Sequence, residues 1–189
     1  YKRQNKHWDD SSIDYTTPVS TGILDLELKF SRTCNFLCRH CNSDSNSSFE
    51  LLGKKKPEIN KELLDLGFKH LYKSDSPIIP ISKKVLDDII LHIAPTIEKF
   101  FFSGGEPLYH IEHYRFLEQL INNPAINTKT ITIGYNTNLS MIKFKQYDLR
   151  ELWKHFKAVE ITVSLDGTGR LFNYFRENGN YKEIIDNLF

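Results

Sequence analysis

The chain has 189 residues, the length of one ordinary domain, and a chain of this size buries roughly 70% of its unfolded surface. Its composition of 40% hydrophobic, 13% aromatic and 26% charged residues excludes wholesale disorder, collagen-like repeats and coiled coils. The 25 Lys and Arg residues balance 24 Asp and Glu residues, so nothing in the overall charge indicates nucleic acid or an anionic membrane as a partner. No apolar stretch of about 18 residues predicts a membrane span.

The first predicted strand follows a polar segment without periodicity, residues 1–21, which we expect to be an N-terminal lead-in. Over 24–30 apolar and charged residues alternate, the period of two that is typical of a strand. A cysteine-containing loop over 31–41 comes next, followed by a run of Asn, Ser and Asp at 42–48 that we expect to be mobile. We interpret about 42–80 as a polar insertion, with a solvated lysine run at 54–56 and a helix near 60–72.

Helices and strands then alternate to the end of the chain. Ser82 is a predicted N-cap for the first of these helices. The predicted elements are a helix over 83–93, a strand over 97–103, a helix over 110–122, a strand over 129–136, a short helix over 148–156, a strand over 158–165 and a helix near 181–188. Such alternation predicts parallel strands with right-handed crossovers, hence an α/β barrel or a doubly wound sheet.

The predicted strands have one apolar and one polar face. Over 159–165 the apolar residues alternate with Glu160, Thr162 and Ser164, and the strand over 129–136 has the same pattern. If helices cover the apolar faces, the polar faces point together into a lumen, whereas an ordinary closed barrel fills that space with branched side chains. The pattern therefore favours a polar ligand cavity. Asp25, Glu27 and Lys29 would line its floor or form a buried charge network.

All three cysteines of the chain, Cys34, Cys38 and Cys41, lie within eight residues. An odd number grouped so tightly is not a disulfide framework, and it indicates a reduced, cytoplasmic protein with a bound metal. Three thiolates in one loop can hold a four-iron cluster and leave one iron open to a substrate or cofactor. The alternative is a structural zinc site completed by a histidine such as His40, although zinc motifs usually present a second Cys/His pair.

The C-x3-C-x2-C loop after the first strand resembles the signature of the radical S-adenosylmethionine (radical SAM) superfamily, with His40 at the position of the family's aromatic residue. Gly104-Gly105-Glu106-Pro107, after the second strand, resembles the family's GGEP motif. In the family this motif binds the amino group of the cofactor's methionine. The residue types suit that task, because glycines let a backbone approach a ligand closely and a carboxylate pairs with an ammonium group.

The resemblance continues at the ends of the later strands. Thr137-Asn138 is similar to the family's TNG element, but Leu139 replaces the glycine, so we expect a different turn there. Ser164, Asp166 and Gly167 match the SxDG segment that approaches the cofactor's ribose and carboxylate.

Four further residues have open interpretations. Arg176 fits an arginine of peptide-modifying members with SPASM or twitch extensions, or it is a helix-surface cation. Asn136 is a cofactor contact or a turn former. His110 and His113 are three residues apart on a helix, a spacing that by itself is weak support for a second metal.

The resemblance implies a partial parallel (β/α) barrel of the radical SAM type, with four βα units between about Leu24 and Leu188. Residues 22–189 would then be the N-terminal part of the core domain, before the fifth and sixth strands. The implied cofactor-binding residues are His40, Gly104, Gly105, Glu106, Asn138, Ser164, Asp166 and Arg176, and the implied cluster ligands are Cys34, Cys38 and Cys41.

The implied activity is reductive cleavage of S-adenosylmethionine, at a [4Fe-4S] cluster, to a 5′-deoxyadenosyl radical that abstracts hydrogen from a substrate. A flavodoxin- or ferredoxin-like protein would supply the electron. Peptide, nucleoside and small metabolite all remain possible substrates, with peptide favoured by the SxDG segment and Arg176. The alternative is a non-catalytic module that binds S-adenosylmethionine or a metal on the same scaffold.

Overall fold

The computed structural model describes residues 23–67 and 80–189. The expected lead-in over 1–21 lies outside these residues, as does the part of the predicted helix near 60–72 that follows residue 67. The strands are β1 (Asp25–Lys29), β2 (Leu37–Cys38), β3 (Lys99–Ser103), β4 (Thr132–Thr137), β5 (Lys143–Phe144), β6 (Tyr147–Asp148), β7 (Ala158–Val163) and β8 (Arg176–Glu177). The helices are α1 (Ser48–Lys55), α2 (Pro57–Asp65), α3 (Lys83–His92), α4 (Ile111–Asn122), α5 (Leu149–Trp153), α6 (Gly169–Phe175) and α7 (Tyr181–Leu188).

A parallel sheet of four strands, in the order β1-β3-β4-β7, forms the centre of the molecule. Helices follow each of these strands along the chain, which makes four βα units and confirms the predicted α/β partial barrel. Two short antiparallel pairs, β2 with β8 and β5 with β6, lie outside this sheet. No helix in 23–67 or 80–189 is long and apolar enough to cross a lipid bilayer.

The strand register separates the two faces of the sheet as the alternation predicts. One transverse row joins Leu28, Phe102, Tyr135 and Ile161, and these side chains face the helices. The neighbouring row of Glu27, Phe101, Gly134 and Glu160 occupies the opposite face. Because successive side chains of a strand point to opposite sides, polar residues collect on the face that the helices do not cover.

Two of the helices follow closely from their sequence. The Ser82 hydroxyl accepts a hydrogen bond from the N–H of Val85 at 3.3 Å, which confirms Ser82 as the N-cap of α3. Helix α4 buries Phe116, Leu117 and Leu120 on one side, as the spacing of its apolar residues predicts. Both helices contribute to the continuous core on the apolar face of the sheet.

The structure departs from the predictions mainly between β1 and α3. Helix α1 occupies 48–55, so part of the lysine run predicted as a loop ends a helix, and α2 lies before most of the predicted 60–72 helix. A 3-10 turn at Thr128–Thr130 replaces the first residues of the third predicted strand, since Asn127 caps that turn through its side chain. Helix α6 and the two antiparallel pairs were not predicted, because segments of two to seven residues have too little periodicity.

Candidate metal and cofactor site

The site is a cleft of about 310 Å³ at the carboxyl edge of the sheet. Each of the four parallel strands ends there, and the chain segment after each strand contributes residues to the cleft wall. The residues that line it are Cys34, Cys38, His40, Cys41, Asn42, Ser45, Asn46, Gly104, Gly105, Glu106, Asn136, Thr137, Asn138, Ser164 and Arg176. Of the residues implied by the resemblance, Asp166 alone is not in this wall. Ligands in open α/β sheets bind at this edge, so the cleft is the candidate functional site.

The cysteine loop brings three thiols to one side of the cleft. A hydrogen bond from Cys41 N–H to Cys38 O at 2.9 Å closes the turn between the last two cysteines, and Phe36 N–H donates to Cys34 Sγ at 3.4 Å. All three cysteines are free thiols. Burial raises the pKa of each thiol, to about 12 for Cys34, so a bound cation is needed to hold three thiolates together.

The Asn- and Ser-rich segment after the cysteines is packed, whereas we expected it to be mobile. Ser43 is fully buried and Asn46 is 2% exposed. The Asn46 side chain donates to Phe36 O at 2.6 Å, and Ser48 Oγ donates to Cys34 O at 3.3 Å. Although its composition is of low complexity, this segment contains short polar side chains that form hydrogen bonds with the backbone of the cysteine loop and hold it in place.

The Gly-Gly turn packs directly on the first residues of that loop. Gly104 has φ +115, a conformation that only glycine adopts without strain. A Cβ on Gly105 would lie 2.2 Å from Thr33 O, so no other residue fits without a backbone shift. The N–H groups of Gly105 and Glu106 donate to Ser31 O and Thr33 O at 3.2 and 3.0 Å. These two donors are thus used within the protein, and the carbonyl oxygens of the turn are its remaining backbone acceptors.

Glu106 is a buried carboxylate with three internal hydrogen bonds. Its Oε1 accepts from Thr137 Oγ1 at 2.6 Å and from Leu108 N–H at 3.0 Å, and its Oε2 accepts from Asn138 N–H at 2.7 Å. A carboxylate has about four acceptor positions, so one is left for a cationic group in the cleft. Burial raises the pKa of Glu106, and these hydrogen bonds oppose that rise. Glu106 also ties the turn after β3 to the end of β4.

The side chain of Asn138, the residue that follows β4, belongs to a closed ring of side-chain hydrogen bonds. Asn138 Nδ2 donates to Asn35 Oδ1 at 2.9 Å, Asn35 Nδ2 donates to Ser140 Oγ at 2.8 Å, and Ser140 Oγ donates to Asn138 Oδ1 at 2.7 Å. Leu139, inside this turn, has φ +54 and is 1% exposed. Its backbone thus takes the left-handed conformation that glycine favours, and the expectation of a turn different from the family's stays a prediction. Burial of the leucine side chain and the ring offset the strain.

Arg176 lies on β8 opposite Cys38 and is 8% exposed, so it is not a helix-surface cation. Its Nη1 is 3.6 Å from Cys38 Sγ, and its Nε is 2.7 Å from Asp166 Oδ2. The Nε–H does not point at that oxygen, so the contact is an ion pair without hydrogen-bond geometry. His40 Nε2 lies 3.7 Å from the same carboxylate. Asp166 therefore reaches the cleft only through Arg176 and His40.

The polar face below the cleft carries charges that pair with one another. Glu27 accepts a hydrogen bond from Ser103 Oγ and lies 3.5 Å from Lys29, and Lys99 Nζ is 2.7 Å from Glu160. The Ser103 hydrogen bond is the main reason that the pKa of Glu27 is lowered. Glu27 and Lys29 thus pair with each other, but their side chains are 50% and 62% exposed, so the expectation of a buried charge network is wrong. Asn136, beside this face, is exposed and lines the cleft.

His110, the N-cap residue of α4, and His113, within α4, contact different groups. His110 Nε2 lies 3.3 Å from Ser31 Oγ and 3.2 Å from Thr33 O, so its ring supports the cysteine loop. His113 Nε2 lies 3.0 Å from the Tyr135 hydroxyl inside the aromatic core. Their rings are therefore held by separate partners.

The donor set of the cleft fits an iron–sulfur cluster with an attached amino-acid ligand. Three thiols face the cleft, and the acceptors of the Gly-Gly turn and Glu106 line the same wall. Thiolates hold such clusters, and buried acceptors suit an ammonium group. Within 23–67 and 80–189, no group of three His, Cys, Asp or Glu side chains is arranged around a single metal ion.

A sequence profile of the radical SAM superfamily matches residues 28–188. The match begins within β1, and it includes the other three parallel strands and all of the cleft-lining segments. The chain therefore belongs to the radical SAM superfamily, whose enzymes use a [4Fe-4S] cluster and S-adenosylmethionine. Comparison with curated proteins gives no match.

Sequence reasoning missed several residues of the site. The sequence indicates Thr137 only as part of the Thr137-Asn138 motif, and it predicts no role in the site for Asn35, Asn46 or Ser140. The available signal was weak but present: three of the four are Asn or Ser residues within a few positions of a recognised motif, where short polar side chains commonly bond to the backbone.

Proposed function

We propose that Cys34, Cys38 and Cys41 hold a [4Fe-4S] cluster and that the remaining iron takes the amino and carboxylate groups of S-adenosylmethionine. Support comes from the three thiols on one wall of the cleft and from the acceptors of Gly104, Gly105 and Glu106 beside them. When bound, this pair of groups supplies the 5′-deoxyadenosyl radical that the superfamily uses to abstract hydrogen.

The chain's own residues would orient the cofactor. Glu106 keeps one acceptor position for the methionine ammonium, with the other three used by Thr137, Asn138 and Leu108. Ser164 lines the same cleft and would approach the ribose. The closed hydrogen-bond ring through Asn138 keeps this wall in one conformation before the cofactor binds.

We further propose a hydrogen-abstracting enzyme acting on a peptide. The polar face of the sheet leaves room beside the cleft, and the segment from Ser164 to Gly167 with Arg176 is similar to that of peptide-modifying members. The proposed electron donor is flavodoxin- or ferredoxin-like, and the proposed compartment is the reducing cytoplasm, where three free thiols persist. Residues 22–189 would form the N-terminal part of the core domain.

The single observation that carries the proposal is that the three thiols and the Gly-Gly-Glu turn face one cleft at the carboxyl ends of the strands. The test is anaerobic reconstitution followed by reduction with dithionite in the presence of S-adenosylmethionine. The parent should bind about four irons and four sulfides per chain and release 5′-deoxyadenosine and methionine.

Cys38→Ala is the control and should lose the cluster and the product. Stoichiometric zinc without sulfide in the parent would contradict the cluster. A loaded protein that binds S-adenosylmethionine but forms no 5′-deoxyadenosine above the control would favour the regulatory module instead.

A further inference from the structure

The antiparallel pair of β2 and β8 brings a distant part of the chain onto the cysteine loop. Cys38 and Arg176 are register partners although 138 positions separate them in the sequence. Next to them, Arg39 N–H donates to Phe175 O at 2.8 Å, and Leu37 is the register partner of Glu177. The backbone on both sides of Arg176 is therefore fixed relative to Cys38.

The Arg176 side chain places a permanent positive charge beside a sulfur atom. A guanidinium stays protonated at any ordinary pH, and this one is 8% exposed. Its Nη1 is 3.6 Å from Cys38 Sγ, within hydrogen-bond range for sulfur. Because water has little access to the pair, the interaction is screened less than a surface contact would be.

From this geometry we infer that Arg176 is a positioning residue that donates an N–H to the Cys38 sulfur and thereby raises the reduction potential of the cluster. Reduction adds one negative charge to the cluster, so a nearby cation and an N–H donor to a ligand sulfur stabilise the reduced state more than the oxidised one. The inference rests on the proposed function only in that Cys38 is taken as a cluster ligand. It differs from a cofactor-binding role for Arg176, because it requires no S-adenosylmethionine.

The Asp166 carboxylate should shift the reduction potential of the cluster in the direction opposite to the shift caused by Arg176. Its Oδ2 lies 2.7 Å from Arg176 Nε, so the carboxylate offsets part of the positive charge that the cluster experiences. Removing the carboxylate charge should therefore raise the potential, whereas removing the guanidinium charge should lower it. Two neighbouring substitutions with opposite predicted shifts separate an electrostatic role from general damage to the site.

The experiment is a potentiometric titration of the reconstituted cluster, monitored by EPR, without S-adenosylmethionine. Arg176→Gln should have a more negative midpoint potential than the parent, Arg176→Lys should lie between them, and Asp166→Asn should be more positive. Arg39→Gln is the matched control: Arg39 is exposed, stacks on the Tyr174 ring at 4.4 Å and should leave the potential unchanged.

Equal potentials in the parent and in cluster-loaded Arg176→Gln would overturn the inference, as would a shift of the same size in Arg39→Gln. If Arg176→Gln does not retain the cluster, Asp166→Asn decides: a potential equal to or below the parent's overturns the inference. Full cluster content in Cys38→Ala would instead contradict the ligand assignment, so failure of this inference and failure of the proposed function are distinguishable.

Discussion

The helix-covered face of the sheet and the carboxyl edge of the same sheet both contain buried side chains, but different interactions stabilise them. On the covered face the side chains are mainly rings: Phe102 lies with its ring centroid 5.2 Å from that of Tyr135 and 4.9 Å from that of His113, and Phe100 meets Phe116 edge-on at 5.2 Å. This region is stabilised by removal of apolar area from water and by close packing.

At the carboxyl edge the buried groups are polar and are held by hydrogen bonds. Glu106, Thr137, Asn138 and Arg176 are each less than 9% exposed. Their partners come from segments far apart in the sequence, so each contact also fixes one loop against another. A buried polar group without its partner costs free energy, which makes this region sensitive to loss of single atoms rather than of volume.

The difference implies that substitutions on the two regions have separable effects. Loss of volume on the covered face should lower the free energy of unfolding and leave ligand binding by the folded protein unchanged. Loss of a polar atom or gain of a methyl group at the edge should alter cluster retention or cofactor affinity more than stability.

The largest effect on stability is expected for Phe102→Ala. The ring is fully buried, so the change should reduce the free energy of unfolding by about 3–5 kcal/mol, measured by urea denaturation of the apoprotein. Phe101→Ala is the matched control, because its ring is on the opposite face of the same strand and is half-buried. Phe101→Ala should lose less than half as much, and equal losses would show that the two faces do not differ in this way.

Gly105→Ala should damage the edge without touching the core. The added methyl group would meet Thr33 O at 2.2 Å, so the turn must move away from the cysteine loop. The expected loss of stability is about 1–3 kcal/mol, together with reduced iron and sulfide content after reconstitution.

Gly169→Ala is the control for this change. Gly169 has φ +53 but open space around it, so alanine there adds backbone strain without a clash. Full cluster content in both variants would mean that the contact between the Gly-Gly turn and the cysteine loop does not support the cluster.

The covered face could be predicted from the sequence because its signal is periodic. Alternation over 24–30 and 159–165 correctly assigned one face to the helices, and the apolar spacing of 111–122 correctly predicted α4. The positions of the cysteines and of the Gly-Gly turn at the strand ends followed from the order of elements, since carboxyl ends of parallel strands meet at one edge.

The edge itself could be predicted only in part, because its main contacts between loops join residues 31 to 138 positions apart. The ring of Asn35, Asn138 and Ser140 has no local pattern, and β2 and β8 are two residues long. The leucine at position 139 gives no local signal of the positive φ found there, because glycine is the usual residue in that conformation. Sequence composition likewise gave no sign that Asn46 is buried.

Glu106→Gln tests whether the buried carboxylate binds the cofactor by its charge. The amide loses the negative charge, and its nitrogen cannot accept from the N–H of Asn138 or Leu108, so one of these donors also loses its partner. S-adenosylmethionine should therefore bind less tightly by roughly 1.5–3 kcal/mol, measured by anaerobic calorimetry on cluster-loaded protein. Glu106→Ala should in addition destabilise the fold, because Thr137, Asn138 and Leu108 each lose a partner. Glu177→Gln, an exposed carboxylate on β8, is the control. Equal affinities of the parent and Glu106→Gln would show that the charge takes no part in binding.

The smallest expected effect concerns His113, whose imidazole lies in the aromatic core of the covered face. His113 is fully buried, and burial is the main reason that its pKa falls to about 3, with the neighbouring His110 a lesser cause. In the unfolded chain a histidine has a pKa of about 6.5. Between these values the unfolded chain binds a proton that the folded protein does not, so the fold is fully stabilised above about pH 6.5 and loses stability as the pH falls.

His113→Gln should remove this dependence, because glutamine does not titrate and its side-chain oxygen can still accept a hydrogen bond from Tyr135. The parent should lose about 1.4 kcal/mol more than the variant between pH 7.5 and 5.5, measured by urea denaturation at both values. His110, whose pKa burial also lowers, is present in both proteins and so cancels in the comparison. His92→Gln, at an exposed position on α3, should keep the dependence of the parent. If the parent and His113→Gln lose the same free energy of unfolding on acidification, His113 does not remain neutral within the folded core. Water would then have more access to the covered face than its close packing indicates.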